Sequence, residues 1–409
     1  MNAGNTGNTG NTERLEAELA AVAAREPVVG AWAARLSDDE VRAAFAAAPD
    51  GPLAGFSLGV KDVIDTAELT TERGSPIYRG RRAGADAACV ALARAAGAVM
   101  VGKTVTTEFA VLTPAATTNP HDPSRTPGGS SSGSAAAVAA GMVRVALGTQ
   151  TAGSVIRPAA FCGVVGFKPS RHLVPVTGVN PLAPSLDTVG MFARTVADAA
   201  ALFGALAGGG AETPARRLRV ARYRSHQWPA AGPATVDALD RATDALRRDG
   251  VEVVELAPVT GLRGLDAHAT TIMLWEASRA FAWERRHAPG LLSDGLTRLL
   301  QAGDRIDTEQ YGAARRAAER ARVAFDEAMG GFDAWLTPAV VGEAPPIAST
   351  GDPVFCRVWT LLGGPALTLP AGSGPEGLPV GVQLVGARWA DARLLGVAAR
   401  LEASLARPV

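Results

Sequence analysis

The chain has 409 residues, 47% of them hydrophobic, and 40 Lys+Arg balance 40 Asp+Glu to a formal net charge of zero. That composition supports a sizeable core, carries no basic footprint for nucleic acid and contains no apolar run of the roughly 18 residues a membrane span needs. The three cysteines, Cys89, Cys162 and Cys356, lie too far apart for a metal motif and suit a reducing cytoplasm, so neither a metal nor a cofactor is expected.

Residues 1–12 repeat Gly-Asn-Thr three times. Such a polar, low-complexity stretch predicts a disordered tail, and it does not read as a signal peptide. Residues 13–25 read as a helix. Ser37-Asp38-Asp39-Glu40 is a capping box that opens a second helix to about Ala48. These N-terminal helices, 13–50, are expected to pack on a partner subunit in a homodimer.

The main body, 51–409, follows without a linker long enough to divide it. Phe56–Asp65 reads as a strand that carries Lys61 between Val60 and Val63. Only three of the 40 basic residues are lysines, Lys61, Lys103 and Lys168. A chain that otherwise uses arginine keeps a lysine where a compact ammonium, or one that can lose its proton, is wanted. A buried Lys61 would have its charged form disfavoured and become a base. An ion pair with Asp62 or Asp65 is the alternative.

Residues 86–96 read as a helix and 98–101 as a short buried strand. Gly97–Thr104 matches the G-x-x-x-x-G-K-T phosphate loop in letters only, because a strand occupies its four variable positions. Lys103 is expected to bond loops around the site instead. Two Ser/Gly clusters follow, Gly128–Ser134 and Gly148–Ser154, separated by a small-residue helix (134–140) and a strand (143–147). Glycine permits close backbone approach and serine supplies a hydroxyl nucleophile, so the pair suggests acyl chemistry. Gly129–Gly133 also fits G-x-S-x-G, but the Pro-rich run before it cannot be the strand that elbow requires. None of the five histidines has metal-ligand spacing.

The second half alternates strands (219–222, 251–256, 332–336, 366–370, 380–385) with helices (234–249, 390–405). Residues 264–329 are mainly helical and expected to form a lid or wall.

The segments GVKDVIDT, GAVMVGKTVTTEFA, PGGSSSGSAAAVAAG and GTQTAGSVIRPAAFCGVVGFKPS stand in the order and spacing of the amidase signature family, which the chain resembles from about Pro52 through Leu186–Gly190. The resemblance implies an α/β fold in a single large domain, a mixed central β-sheet with helices on both faces, and core motifs within 52–200. It implies a Ser–Ser–Lys triad: Ser154 as nucleophile, Ser130 as relay after a cis peptide bond, and Lys61 as base. Backbone amides of Thr151, Ala152, Gly153 and Ser154 would form the oxyanion hole. The implied reaction turns a small linear amide into acid and ammonia; the alternatives are a subunit of a tRNA-dependent amidotransferase and a carboxybiuret- or allophanate-type hydrolase. Three departures stand out: Ala152 replaces a glycine, Gln150 an acidic residue, and the arginine sits three residues after the serine. The last is shared with malonamidases, so Arg157 either grips a substrate carboxylate, with Gly129 and Ser131 beside it, or bonds loop carbonyls. Ser131 and Ser132 also read as loop partners, Cys162 as core and Asp187 as a support for a nearby loop.

Overall fold

Strands buried on two faces need apolar side chains on both sides of the pleat and helices to cover each. A computed structural model describes residues 6–111, 113–213 and 217–407. Its first part runs α1 (Thr6–Val29), β1 (Trp32–Arg35), α2 (Asp38–Ala47), β2 (Ser57–Lys61), α3 (Ala88–Ala95), β3 (Val99–Thr104), α4 (Ser132–Ala139) and β4 (Val145–Gln150). Next come α5 (Ile156–Cys162), β5 (Val165–Lys168), β6 (Thr188–Ala193), α6 (Val196–Ala207), β7 (Arg219–Tyr223), α7 (Pro233–Arg248) and β8 (Glu252–Leu256). The helices α8 (Leu265–Ala280), α9 (Ala282–His287), α10 (Asp294–Asp304) and α11 (Thr308–Met329) precede β9 (Ala334–Pro338), α12 (Arg357–Leu362), β10 (Ala366–Ser373), β11 (Pro379–Val385) and α13 (Asp391–Leu405).

All eleven strands join one mixed sheet in the order β1-β3-β2-β4-β6-β5-β10-β11-β9-β7-β8. β2 runs parallel to both β3 and β4, β7 parallel to both β8 and β9, and the strands between pair antiparallel. Alternate residues divide between two cores. Leu58, Val60, Met100, Val145 and Leu147 face α3 and α6. Val99, Val101, Ala146 and Phe192 face Leu15, Leu19 and Val22 of α1 and the alanines of α4. The expected fold class is therefore the one observed. A third, smaller core joins Phe109 and Leu182 to Phe281 of the segment after α8 and to Leu296 and Leu299 of α10.

The N-terminus differs from its reading. Residues 1–5 lie outside the described residues, but 6–12 are helical and form the start of α1. Burial of Leu15, Leu19 and Val22 anchors the helix, and from an anchored nucleus each added residue gains a hydrogen bond, which extends the helix back through Gly and Asn despite their poor propensity. These apolar side chains are taken up by this chain's own sheet, which leaves them unavailable to a second copy. The capping box at Ser37 forms in full, with reciprocal Ser37 and Glu40 bonds. Gly97–Thr104 becomes a turn and β3, so no phosphate cradle exists there.

Candidate active site

Parallel pairing of β2 with β4 brings the carboxyl ends of both strands to one edge, where open α/β sheets commonly place their sites. Lys61 ends β2 and Thr149 lies at the end of β4. Lys61 Nζ is 2.8 Å from Thr149 Oγ1 and 2.8 Å from Ser130 Oγ. Neither nearby aspartate pairs with it: Asp62 pairs with Lys103 at 3.0 Å, and Asp65 takes Arg81. Lys61 is fully buried, and this desolvation holds its ammonium pKa well below the usual lysine value, with a smaller opposing pull from Asp187. A neutral amine beside a serine hydroxyl can accept its proton.

The first Ser/Gly cluster crosses these strand ends. The Gly129–Ser130 peptide is cis. Ser131 Oγ donates to Thr149 O and accepts from Thr149 N, both at 3.3 Å. Ser131 is wholly buried, is tied to β4 and does not line the cavity, so it leaves the set of substrate-binding residues. Ser132 and Ser134 likewise bond the backbone of Val105 and Leu147. Gly133 is required by close approach, since a Cβ there would meet Val105 N and Ala31 O at 2.3 Å.

The second cluster turns from β4 into α5. Gln150 Oε1 accepts from Val155 N and Ile156 N, capping amides at the start of α5 that an acidic residue would otherwise cap. The Gln150 amide then donates to Thr360 Oγ1, whose hydroxyl donates to Ala152 O at 2.9 Å. Thr151 Oγ1 donates to Asp187 Oδ1 at 2.5 Å, and Asp187 Oδ2 accepts from Leu182 N and Ala183 N. Burial lifts the Asp187 carboxyl to about 6 despite these bonds. Ala152 is not among the residues with positive φ, so replacing the family's glycine introduces no backbone strain there. Gly153 is irreplaceable for a different reason: a Cβ would sit 2.9 Å from Pro353 Cβ and 3.0 Å from Cys356 Cβ. Among the described residues, the backbone N–H groups of Thr151, Ala152, Gly153 and Ser154 have no acceptor within the chain.

Ser130, Thr151, Ala152, Ser154 and Arg157 line one cavity of about 770 Å³. Met273 and Leu274 of α8 and Leu299 of α10 form its opposite wall. Arg157 leaves the first turn of α5 fully buried. One Nη2–H donates to Gly129 O at 2.6 Å, while Nε and Nη1 have no partner. Desolvation brings its guanidinium down to about 10. Gly129 thus meets Arg157 through its carbonyl. Reasoning from sequence did not find Thr149, Thr360 or the cavity-wall residues Met273, Leu274 and Leu299; they carry no motif and join the site only through the fold. No group of three or more His, Cys, Asp or Glu able to hold a metal occurs among the described residues, and no described helix is long and apolar enough to cross a membrane.

Comparison with known proteins places the chain's sequence and fold. One of the subunits of glutamyl-tRNA(Gln) amidotransferase from Anaeromyxobacter sp. (strain K) is 35% identical over 457 aligned positions, covering 96% of this chain and 92% of its own. A crystal structure of an amidase superposes with a TM-score of 0.86 at 32% identity, covering 95% of each chain. The structure of 6-aminohexanoate cyclic dimer hydrolase complexed with substrate gives a TM-score of 0.85 at 28% identity, covering 97% of this chain and 94% of that one. A family model described as Amidase matches residues 13–395, and the chain belongs to the amidase signature family of amide-hydrolysing enzymes.

Proposed function

We propose that the chain hydrolyses a small linear amide that bears a free carboxylate, of malonamate type, through an acyl-enzyme on Ser154. Neutral Lys61 takes the Ser130 proton while Ser130 takes that of Ser154, whose Oγ attacks the amide carbonyl. The developing oxyanion accepts from the free amides of residues 151–154, each such donor being worth roughly 2.7–4 kcal/mol. Ser130 returns a proton to the leaving nitrogen, and water then releases the acid by the reverse proton path. The 2.8 Å contact of Lys61 with Ser130 and the uncharged state that burial favours support these roles.

The carboxylate rests on one observation: Arg157, which lines the cavity with Ser154, keeps two guanidinium nitrogens buried without a partner. A buried unpaired donor is costly, and a carboxylate meets a guanidinium fork bidentately. The test is acid release from paired neutral and carboxylate-bearing amides by the wild type and Arg157→Gln. Acidic substrates should lose about 10- to 100-fold in kcat/KM and neutral ones little. Equal loss across the panel would remove the carboxylate role.

The second reading, a component of a tRNA-dependent amidotransferase, is favoured by the 35% identity to such a protein over nearly the whole chain. It requires partner subunits. Native mass and co-purification from the source cell separate the two readings, and free-standing turnover of small amides by the purified chain counts against it.

A further inference from the structure

The cavity is far larger than the acid that Arg157 would hold. A malonamate-like acid has about seven non-hydrogen atoms and, even at about 30 Å³ for each, occupies roughly 200 Å³. The cavity measures about 770 Å³, within the range that buries a drug-sized ligand. The excess space is walled by apolar side chains. Val111 and Leu182 come from loops beside the site, Met273 and Leu274 from α8, Leu299 from α10, and Pro353 from the loop before α12. Three charged residues besides Arg157 also line the cavity: Asp294 and Arg298, both exposed on α10, and Arg357, which is paired with Asp352 at 3.3 Å. Leu274 and Leu299 belong to the small core around Phe109 and Leu296, and Met273 packs on the main core, so these walls stand in place without a ligand.

Resting on the reading of Arg157 as a carboxylate ligand, we infer that the substrate is a secondary amide: a dicarboxylic monoamide whose nitrogen carries an apolar substituent. With the carboxylate held by Arg157 on the acyl side, the apolar space falls to the leaving nitrogen. Ser154 Oγ forms the ester bond as the carbon–nitrogen bond breaks. Ser130 transfers one proton to the nitrogen, and an apolar primary amine departs in place of ammonia. Water then adds across the ester, returning Ser154 and releasing the dicarboxylate.

The experiment measures kcat/KM for malonic monoamides with hydrogen, methyl, propyl, hexyl or benzyl on nitrogen. A matched series carries the same groups on the central carbon of the primary amide. Acid release is followed throughout, in the wild type and in Met273→Gln. The inference expects kcat/KM to climb by about four-fold per methylene on nitrogen until the cavity is filled. It expects no such climb on carbon, and at least a ten-fold fall of the hexyl-to-hydrogen ratio in Met273→Gln. A flat or falling nitrogen series with the unsubstituted acid still hydrolysed overturns this inference alone, as does a climb confined to the carbon series. Turnover of neutral amides with none of the acidic ones overturns the Arg157 reading beneath it.

Discussion

Gln150 Nε2 donates to Thr360 Oγ1 at 2.9 Å, tying the end of β4 to a helix 210 residues further along the chain. The Thr360 hydroxyl in turn has two acceptors in reach, Ala152 O at 2.9 Å and Cys356 O at 3.2 Å, and the nearer is Ala152 O. That carbonyl belongs to the same planar peptide as Gly153 N–H, so the bond orients one of the four free amides beside Ser154. Thr360→Val removes the bond without changing the side chain's size. Misplacing a reacting geometry by a fraction of an ångström costs about 10- to 100-fold. The expected result is a fall in kcat of that order with KM little changed, and recovery in Thr360→Ser. Steady-state kinetics on the three proteins test this; a KM effect with kcat intact would sink it.

Gln150→Glu probes the same chain from its other end. A carboxylate still caps the α5 amides, but it has no hydrogen for Thr360 and competes with Ala152 O for the Thr360 hydroxyl. The variant should stay folded, with an unchanged melting temperature to within a few degrees, and lose kcat. If kcat survived, the orientation of the Ala152–Gly153 peptide would not depend on Thr360.

Burial holds the Lys61 pKa down and the Asp187 carboxylate pulls it partway back up. Proton acceptance needs the neutral amine, so activity falls as pH drops through the folded pKa of Lys61. Removing the Asp187 charge in Asp187→Asn lowers that pKa further and moves the acid limb of the kcat/KM profile to lower pH. It also weakens the bond to Thr151 and lowers the plateau. A limb displaced upward would contradict this electrostatic assignment.

Lys103 and Asp62 form an ion pair at 3.0 Å with both side chains buried, and Lys103 also donates to Thr71 Oγ1 at 2.6 Å. Deleting one partner of such a pair leaves an uncompensated buried charge, at about 3–5 kcal/mol. Lys103→Met should lower the unfolding free energy from denaturant titration by that amount, while the double variant Lys103→Met, Asp62→Asn recovers part of it. A near-neutral single variant would show that the pair carries little of the stability.

Much of this site was legible from residue types alone. The scarcity of lysine pointed to three positions, and all three lysines are buried. The Pro-rich approach to Gly129–Gly133 correctly barred a nucleophile elbow, and the apolar letters of Gly97–Thr104 correctly barred a phosphate loop. The strands and helices of strong period, such as α7 and β11, fell within a residue or two of their places. Short or uniformly apolar elements did not. β5, α5 and α12 have four to seven residues, too few to display a period, and α6 is apolar around most of its circumference. Thr149 and Thr360 were invisible for another reason: an isolated threonine has no pattern, and only the sheet register and the packing of α12 bring them to Lys61 and Ala152. Of the two readings given to Ser131, its bonds to the Thr149 backbone match the loop partner, and of the three consecutive serines only Ser130 lines the cavity.

Lys168 is the buried lysine that the chemistry does not use. Its Nζ donates to Pro169 O at 2.9 Å and Gly364 O at 2.5 Å, and burial brings its pKa from 10.5 down to about 7, against a smaller upward pull from Asp391. Between about pH 7 and 10.5 the unfolded chain holds a proton at this position that the folded chain has released. The unfolded state then binds more protons, so unfolding free energy rises with pH across this window. Below about 7 both states are protonated and the slope from Lys168 vanishes. The slope is at most about 1.4 kcal/mol per pH unit for one proton. The depressed pKa values of Lys61 and Lys103 act in the same direction. Urea denaturation at pH 7, 8 and 9 should therefore show stability increasing with pH, and Lys168→Met should flatten the increase by about one proton. Its absolute stability will also fall, because two carbonyls lose their donor, but the slope reports the titration independently of that loss. An unchanged slope in Lys168→Met would mean that Lys168 stays charged in the fold, held by Asp391.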